Sequence, residues 1–326
     1  MTNIKQIAKE AGVSVASVSR YFNNKEKLSI EKQRAIEEVV ERYGYVPNSM
    51  GRCLRMARSG KILILLPTME NPMYLRIITA IENECYQYGY TALVCDTHRN
   101  VHKERHLLSM LENHYADGAI LFSSSLEGKE LEAMAKRFPI VLCCEQRCDA
   151  SVTSVSIDDY AAAYEAVEHL LNMGHTRIAM ALGNQVYGST VLRRKGYVDA
   201  LKSRGISIRE DYILTGNYGY NSGMETVERL AQIRPMPTAV LCISDAVAIG
   251  AVKRCTELGI KMAVAGFDNT SVSRVYMPAI TSVAQPRGLM GKTAMQLLQN
   301  LIINPKAPFV KEILPHQLVV RTSTLE

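Results

Sequence analysis

The sequence lacks any apolar run that could cross a membrane. No stretch of its 326 residues approaches the ~18 consecutive apolar residues of a transmembrane helix. Its first residues, MTNIKQIAKEAG, contain no apolar core of a secretory signal. The eight cysteines lie mostly in apolar runs such as ALVCD and IVLCC, without the spacing of a disulfide framework. These absences exclude membrane-spanning and disulfide-rich secreted proteins, so we expect a soluble, cytoplasmic chain that does not bind membranes.

Motifs for catalysis, cofactors and metals are also missing. Residues 288–293, GLMGKT, end like a phosphate-binding loop, but that motif requires glycine where this chain has Pro286. Three histidines at helical spacing stand among charged residues, which indicates a solvated face, and three cysteines lack the paired spacing of a zinc site. These residues are His98, His102, His106, Cys143, Cys144 and Cys148. With no nucleophile elbow or paired catalytic residues, the sequence predicts no enzyme, no metal site and no cofactor.

What the sequence does have is a local excess of positive charge. The net charge of the whole chain is +6. Residues 1–60 contain eleven Lys and Arg against six Asp and Glu, and eleven minus six leaves an excess of five in this segment. Such asymmetry indicates that the N-terminal segment meets a polyanion, with nucleic acid as the leading candidate.

Residues 4–23 have the pattern of two short helices joined by a tight turn. In IKQIAKEA, apolar residues recur at i, i+3, i+4 and i+7, which predicts an amphipathic helix. Gly12 ends this helix, and Ser14 can cap a second helix over residues 15–22. The segment LSIEKQRAIEEVVERYGY, with Ser29 as its cap, predicts a third helix. The pattern is that of a helix-turn-helix unit, and the alternative is a three-helix bundle that touches no DNA.

The second helix would place its first turn in the major groove of DNA. Arg20 can form paired hydrogen bonds to guanine, whereas Val15 and Ala16 can offer apolar contact to a thymine methyl. Neighbouring hydroxyl and amide side chains are suited to phosphate oxygens. These are Ser14, Ser17, Ser19 and Asn23.

From residue 61 onward the chain alternates apolar strand runs with helical periods. Runs such as KILILLP, TALVCD, GAILFSS and TAVLCIS are typical of parallel strands that helices cover on both faces. The strand candidates are too many for one open sheet, so we expect two α/β lobes with a ligand cleft between them. A single β/α barrel is the structural alternative.

The order of these motifs resembles the lactose-repressor (LacI) family of bacterial transcription regulators. The similarity runs from IKQIAKEAGVSVASVSRYFN and YGYVPNSMGRCLR through PTAVLCISDAVAIGAV and GFDN to QLVVRTST, essentially the whole chain. It implies an all-α helix-turn-helix domain followed by a periplasmic-binding-protein-like domain of two doubly wound parallel-sheet lobes. It also implies a homodimeric repressor that binds pseudo-palindromic operator DNA under the control of a sugar, sugar derivative or nucleoside. The chain ends in VVRTSTLE without a leucine heptad, so we expect a dimer rather than a tetramer.

The resemblance also implies domain boundaries. We expect a helix-turn-helix domain over residues 1–46, a hinge helix or linker over 47–58, and an effector-binding and dimerisation domain over 59–326. In the last of these, the N-lobe would comprise about 61–158 and 288–320, and the C-lobe about 159–287. Leu54 matches the leucine that the family wedges into the minor groove. Asn48, Arg52 and Arg55 complete the expected DNA contacts of the hinge.

By the same resemblance, the cleft binds the effector. Arg193 in RRKGY matches the arginine that grips ligand oxygens, and Asp268 in GFDN matches the aspartate that accepts from ligand hydroxyls or a ring nitrogen. Tyr218 and Tyr74 fall where members place aromatic rings against the ligand. Further candidates are Asn71, Met73, Tyr187, Ser189 and Ser244.

Three departures from the family pattern bear on the ligand. Ser244-Asp245 stands where many sugar-responsive members have Asn-Asp, and Cys144-Glu145 stands where they have an aspartate. Both departures argue against a plain aldohexose as the effector. The connection at 261–263 is shorter than usual, which puts the placement of Asp268 in question. In its local sequence motifs, the chain most resembles the cytidine-repressor branch of the family.

Two other functions stand as alternatives. A solute-binding protein without gene control would have no use for residues 1–58, and an enzyme with an accessory DNA-binding domain would need a catalytic constellation in the cleft.

Overall fold

The computed structural model describes residues 3–45, 58–183 and 188–325, and of Asn23 it describes only the backbone. By its internal contacts the chain divides into two compact units, Met1–Arg58 and Ser59–Glu326. Across the described ranges, no helix is both long and apolar enough to span a bilayer.

The N-terminal unit is built from three short helices. These are α1 (Ile4–Glu10), α2 (Val15–Asn23) and α3 (Ile30–Tyr43), with a 3-10 turn at Lys25–Lys27. Gly12, with a φ of +63°, carries the chain from α1 into the turn in a backbone conformation that a side chain disfavours. The Oγ atom of Ser14 then accepts from the backbone N–H of Ser17 at 3.1 Å and caps α2. The predicted helices and the predicted cap at Ser14 are therefore confirmed.

A small apolar core holds these three helices together. Its buried members are Ile7, Ala8, Val18, Leu28, Ile36 and Val39. Ala8 is only 4% exposed, so a larger side chain at this position would force α1 away from its neighbours. The hydroxyl of Tyr43 donates to Oε1 of Glu10 at 2.8 Å and links α3 to α1 at the surface of the unit.

The second unit contains two six-stranded sheets, one in each lobe. The N-lobe strands are β1 (Lys61–Leu66), β2 (Thr91–Asp96), β3 (Gly118–Leu121), β4 (Ile140–Cys143), β5 (Thr153–Ile157) and β11 (Lys311–Leu314). Its helices are α4 (Met73–Gln87), α5 (Val101–Glu112), α6 (Gly128–Arg137) and α12 (Arg287–Ile303). The strand order is β11-β5-β4-β3-β1-β2, and every pairing is parallel.

The C-lobe repeats this plan with one antiparallel edge strand. Its strands are β6 (Ile178–Leu182), β7 (Ile213–Thr215), β8 (Ala239–Cys242), β9 (Ala263–Phe267), β10 (Thr281–Ala284) and β12 (Gln317–Val319). Its helices are α7 (Asp159–Asn172), α8 (Gly188–Ser203), α9 (Tyr220–Leu230), α10 (Asp245–Leu258) and α11 (Ser271–Val275), with 3-10 turns at Glu210–Tyr212 and Thr322–Thr324. The order is β12-β10-β9-β8-β6-β7, and β12 pairs antiparallel with β10.

The chain passes between the lobes after β5, after β10 and between β11 and β12. Two open sheets confirm the two-lobed fold and exclude the single barrel. The predicted N-lobe range, which ran to about residue 320, is too long. Residues 317–319 lie in the C-lobe sheet, because β10 leaves an edge there that this segment fills, with Ser282 opposite Val319. The N-lobe sheet therefore ends at Leu314.

The short connection before β9 is closed by a backbone hydrogen bond at the end of α10. The helix ends at Leu258, and the N–H of Ile260 donates to the carbonyl of Cys255 at 2.9 Å. The strand then pairs with β8 in parallel, with Ala263 opposite Ala239. The short connection is thus completed before the strand begins, and Asp268 follows directly after the end of β9 at Phe267.

Candidate functional site

One face of α2 is available to a partner. Val15, Ala16 and Arg20 are exposed on it, while Val18 on the opposite face is buried in the core of the unit. Ser14 is also exposed, and Ser19 is half-buried. The side chains predicted to meet base edges therefore lie outside the apolar core, where a DNA groove could reach them.

Ser17 requires a correction. It is only 6% exposed, and its hydroxyl oxygen lies 3.0 Å from that of Ser14. The sequence analysis grouped it with the phosphate-contacting serines because its residue type fits that task. Helical spacing places it next to the buried face instead, so its side chain belongs to the turn rather than to the exposed face of α2.

Several predicted residues fall outside what the structure describes. They are the hinge candidates Asn48, Arg52, Leu54 and Arg55, the side chain of Asn23, and the cleft candidate Tyr187.

The cleft of the second unit is lined from both lobes. Its lining residues follow the carboxyl ends of parallel strands, which is where open α/β sheets bind ligands. From the N-lobe these are Pro67, Asn71, Met73, Tyr74, Arg99, Phe122, Ser123, Cys144 and Glu145, and from the C-lobe Ser189, Arg193, Tyr218, Ile243, Ser244 and Asp268. The structure thus brings together every predicted effector residue that it describes.

Arg193 is held firmly within the C-lobe. Its Nε donates to Oδ1 of Asp159 at 2.8 Å, and its Nη1 donates to the carbonyl of Ile243 at 2.7 Å. The guanidinium carbon lies 3.9 Å from the centre of the Phe267 ring. Burial raises the pKa of Asp159, and the positive charge of Arg193 opposes that rise. The arginine reaches the cleft already paired and oriented.

Asp268 lies directly after β9, with a φ of +102°, and it is almost fully buried. Its Oδ1 accepts from Nε2 of Gln285 at 2.9 Å. Burial, together with the nearby carboxylate of Asp245, raises the pKa of Asp268 to about 7. Near neutral pH this carboxyl group can therefore either accept or donate a hydrogen bond to a ligand.

Two of the predicted aromatic side chains form opposite walls. Tyr218 packs directly against Gly183, which has no side chain to hold the ring away, and its hydroxyl lies 2.8 Å from Oγ1 of Thr190. Tyr74 meets Phe122 edge to face, with ring centres 5.0 Å apart. Flat apolar faces of this kind suit a sugar ring or a base.

Ser244 has a structural task in addition to lining the cleft. Its hydroxyl donates to the carbonyl of Tyr218 at 3.1 Å and accepts from the backbone N–H of Val247 at 3.3 Å. It therefore caps α10 and fixes the segment that carries Tyr218.

Two charged residues of the lining were not among the predicted effector residues, although the sequence had marked Glu145 as a departure from the family pattern. Arg99 follows β2 and Glu145 follows β4, and the positions just after predicted strands could have flagged both. Glu145 is buried, and its Oε1 accepts from the backbone N–H of Gly188 at 3.2 Å across the cleft. Burial raises the pKa of Glu145 to about 8, so this group is mostly protonated at neutral pH.

The cleft consists of two adjoining cavities. The smaller one has a volume of about 50 Å³, and the larger one has a volume of about 540 Å³. Both are lined by Asn71, Arg99 and Tyr218. The smaller cavity has room only for a few waters, whereas the larger one falls within the range of small-molecule sites.

The motifs that the sequence analysis discounted have other roles in the fold. Residues 288–293 lie within α12, where Gly291 faces the carbonyl of Ile77. In the ranges that the structure covers, no three His, Cys, Asp or Glu side chains are grouped as metal ligands. Cys143 and Cys144 are in contact, with sulfurs 3.7 Å apart, at the end of β4.

Two family models match the sequence. Residues 3–48 match the bacterial regulatory proteins of the lacI family, and residues 59–319 match the periplasmic binding proteins and sugar-binding domain of the LacI family. The chain is 32% identical to catabolite control protein A of Priestia megaterium, with 98% of each chain covered. It is 30% identical to the HTH-type transcriptional repressor CytR of Escherichia coli K12, with 98% of this chain and 96% of the relative covered.

Solved structures show the same architecture. The lac repressor dimer bound to operator and the anti-inducer ONPF superposes with a TM-score of 0.87 at 24% identity, with 99% of each chain covered. The complex of the transcriptional regulator CelR with cellobiose gives a TM-score of 0.75 at 26% identity, with 99% of this chain and 100% of that chain covered.

Proposed function

Because the chain belongs to the LacI family of bacterial transcription regulators, we propose that it is a homodimeric repressor whose affinity for a pseudo-palindromic operator changes when a small molecule enters the interlobe cleft. The family consists of bacterial regulatory proteins, and the relatives CytR and PurR are HTH-type transcriptional repressors, which confirms the prediction that this chain is a repressor and not an enzyme. A regulator of bacterial genes acts where the chromosome is, so the proposal places the protein in the cytoplasm.

One observation carries the proposal: a single chain has both an exposed helix-turn-helix face and a ligand-sized cleft. A solute-binding protein would need only the second of these. The exposed Arg20, Val15 and Ala16 support direct readout of bases by α2, and the hinge over residues 47–58, with Leu54 in the minor groove, belongs to the same proposal.

The proposed effector is a sugar, sugar derivative or nucleoside. Aromatic walls at Tyr218 and Tyr74 would stack on a ring, while Arg193 and Asp268 would bind its polar edge. A cellobiose complex among similar structures supports a carbohydrate, and the relative CytR keeps the cytidine-repressor branch open. Catabolite control protein A matches equally well, so the branch stays a prediction.

Operator recognition can be tested once a cognate site has been selected from random DNA. We expect Arg20→Ala to weaken cognate binding by about 1–3 kcal/mol and to leave binding to random DNA nearly unchanged, because a base contact is lost. Arg34→Ala is the matched control, since Arg34 is an exposed arginine on α3. Equal loss on both DNAs for Arg20→Ala would contradict the base-reading role.

Effector control can be tested by a thermal-shift screen of sugars, sugar acids, nucleosides and purines, followed by operator titration with each hit. A cleft ligand raises the melting temperature by mass action and must change operator affinity by linkage. Asp268→Asn keeps an acceptor for Gln285 but removes the titrating carboxyl. A hit that binds wild type and this variant alike does not use the proposed site.

A further inference from the structure

Arg99 stands at the boundary between the two cavities of the cleft. It lies in the turn after β2, and it is one of three residues that line both cavities. The turn is anchored on the neighbouring strand, because the N–H and the hydroxyl of Thr97 both donate to the carbonyl of Leu66, at 2.8 and 3.0 Å. Arg99 itself adopts a φ of +54°, which a non-glycine residue rarely does. The backbone therefore fixes the origin of this side chain.

The guanidinium of Arg99 lacks the partners that Arg193 has. Its carbon lies 5.5 Å from the centre of the Tyr218 ring on the opposite lobe, and its buried Nε has no hydrogen-bond partner among the residues that the structure describes. Within the same residues it forms no ion pair with a carboxylate. Segment 184–187, which the structure does not describe, reads NQVY and adds no acid. A buried guanidinium N–H without a hydrogen-bond acceptor is energetically unfavourable. This arrangement therefore favours binding of a ligand that supplies an acceptor.

The acidic groups near the cleft are not positioned to neutralise Arg99. Asp159 is paired with Arg193. Asp268 accepts from Gln285, and the positive charges that act on it are those of Arg193 and Arg287. Glu145 contacts the N–H of Gly188 and has a pKa raised to about 8 by burial, so it is mostly uncharged at neutral pH. Glu70 and Glu225 line the larger cavity from exposed positions, where solvent screens their charge.

We infer that Arg99 binds an anionic group on the effector, a carboxylate or a phosphoryl group, and thereby determines effector specificity. The inference rests on the proposed effector cleft and names the class of its ligand. A guanidinium presents a planar fork of donors that matches both kinds of anion, and the guanidinium carbon of Arg99 already lies over the Tyr218 ring, 5.5 Å from its centre. The ring of the ligand would lie against Tyr218, which lines both cavities, with its anion beside Arg99 and its polar edge toward Arg193 and Asp268 in the smaller cavity.

The test uses pairs of probes that differ only in charge. Glucose is compared with glucuronate and with glucose 6-phosphate, ribose with ribose 5-phosphate, and cytidine and adenosine with their 5′-monophosphates. Affinities for wild type, Arg99→Gln and Arg99→Lys are measured by calorimetry on the full-length protein. We expect one charged probe to bind wild type at least about 10-fold more tightly than its neutral partner. Arg99→Gln should weaken binding of this charged probe by about 10- to 100-fold and leave the affinity for the matching neutral probe unchanged. Arg99→Lys should weaken binding of the charged probe less.

Two controls separate this inference from the proposed function. Arg137→Gln removes an exposed arginine from the end of α6, outside both cavities, and should change no affinity. If a neutral probe binds in an Asp268-dependent way and Arg99→Gln does not alter the ratio of charged to neutral affinity, the inference is overturned while the cleft remains the effector site. If no charged probe binds more tightly than its neutral partner, the inference is also overturned. The carboxylate and phosphoryl arms identify which anion is used.

Discussion

The two walls of the cleft differ in how completely their polar groups are paired. On the C-lobe wall, Arg193 has both a carboxylate and a carbonyl, and Asp268 has the amide of Gln285. On the N-lobe wall, among the residues that the structure describes, Arg99 has only the face of an aromatic ring from the other lobe, and Glu145 has a single N–H, also from the other lobe. The C-lobe wall is thus fixed by its own lobe, whereas the charged groups of the N-lobe wall depend on contacts across the cleft.

This difference suggests a division of tasks, in which one wall contributes mainly to ligand affinity and the other to the response of the protein to the ligand. A paired and oriented group costs little to use when a ligand arrives, so the C-lobe wall is suited to binding the common part of a ligand. Groups whose partners belong to the other lobe change their surroundings whenever the lobes move. The chemical nature of the ligand therefore affects the relative position of the two lobes most directly through contacts on the N-lobe wall.

The largest expected effect comes from breaking the pairing on the C-lobe wall. Arg193→Ala should lower the free energy of unfolding by about 3–5 kcal/mol in urea titrations, because Asp159 is left buried without its cation. The adjacent Arg194→Ala is the matched control. Arg194 is partly exposed, and its guanidinium lies 3.2 Å from the exposed Glu210, so its loss should cost less than about 1 kcal/mol. Similar costs for both variants would show that the buried pair of Arg193 and Asp159 does not stabilise the C-lobe wall as described.

A smaller effect is expected from the pH dependence of Glu145 on the N-lobe wall. Its folded pKa of about 8 lies above the ordinary value of 4.5, so the folded chain binds this proton more tightly than the unfolded chain does. The resulting stability is complete below pH 4.5 and is lost as the pH rises through about 8. Urea titrations from pH 4 to 9 should show that Glu145→Gln removes a decline of roughly 1–4 kcal/mol. Asp268 titrates in both proteins, so the difference between the two profiles isolates Glu145. Parallel profiles would contradict its raised pKa.

The smallest effect concerns the hydrogen bond that holds Tyr218 within the C-lobe wall. Tyr218→Phe removes the hydrogen bond to Thr190 and keeps the ring under Arg99, so we expect a loss of about 0.5–1.5 kcal/mol of unfolding free energy. Thr190→Val should cost a similar amount, and the double variant less than the sum, as in a double-mutant cycle. Strict additivity would mean that the two hydroxyls do not interact.

Sequence reasoning located the parts of the molecule whose geometry is local. The cap at Ser14 and the helices on either side of the turn depend on neighbouring residues, and Arg193 and Asp268 were placed by their motifs. Arg99 and Glu145 were not among the predicted effector residues, because their place in the cleft depends on how closely the two lobes approach. The burial of Ser17 and the transfer of residues 317–319 to the C-lobe sheet likewise depend on packing between distant segments.

The order in which the strands occur in the chain has a consequence for synthesis on the ribosome. Residues 311–319 supply an edge strand to each sheet, β11 beside β5 and β12 beside β10. The helix-turn-helix unit leaves the ribosome early and contains its whole core, whereas neither sheet has all its strands until this late segment has emerged. Each new copy of the protein therefore completes its DNA-reading unit well before the lobes that would control it.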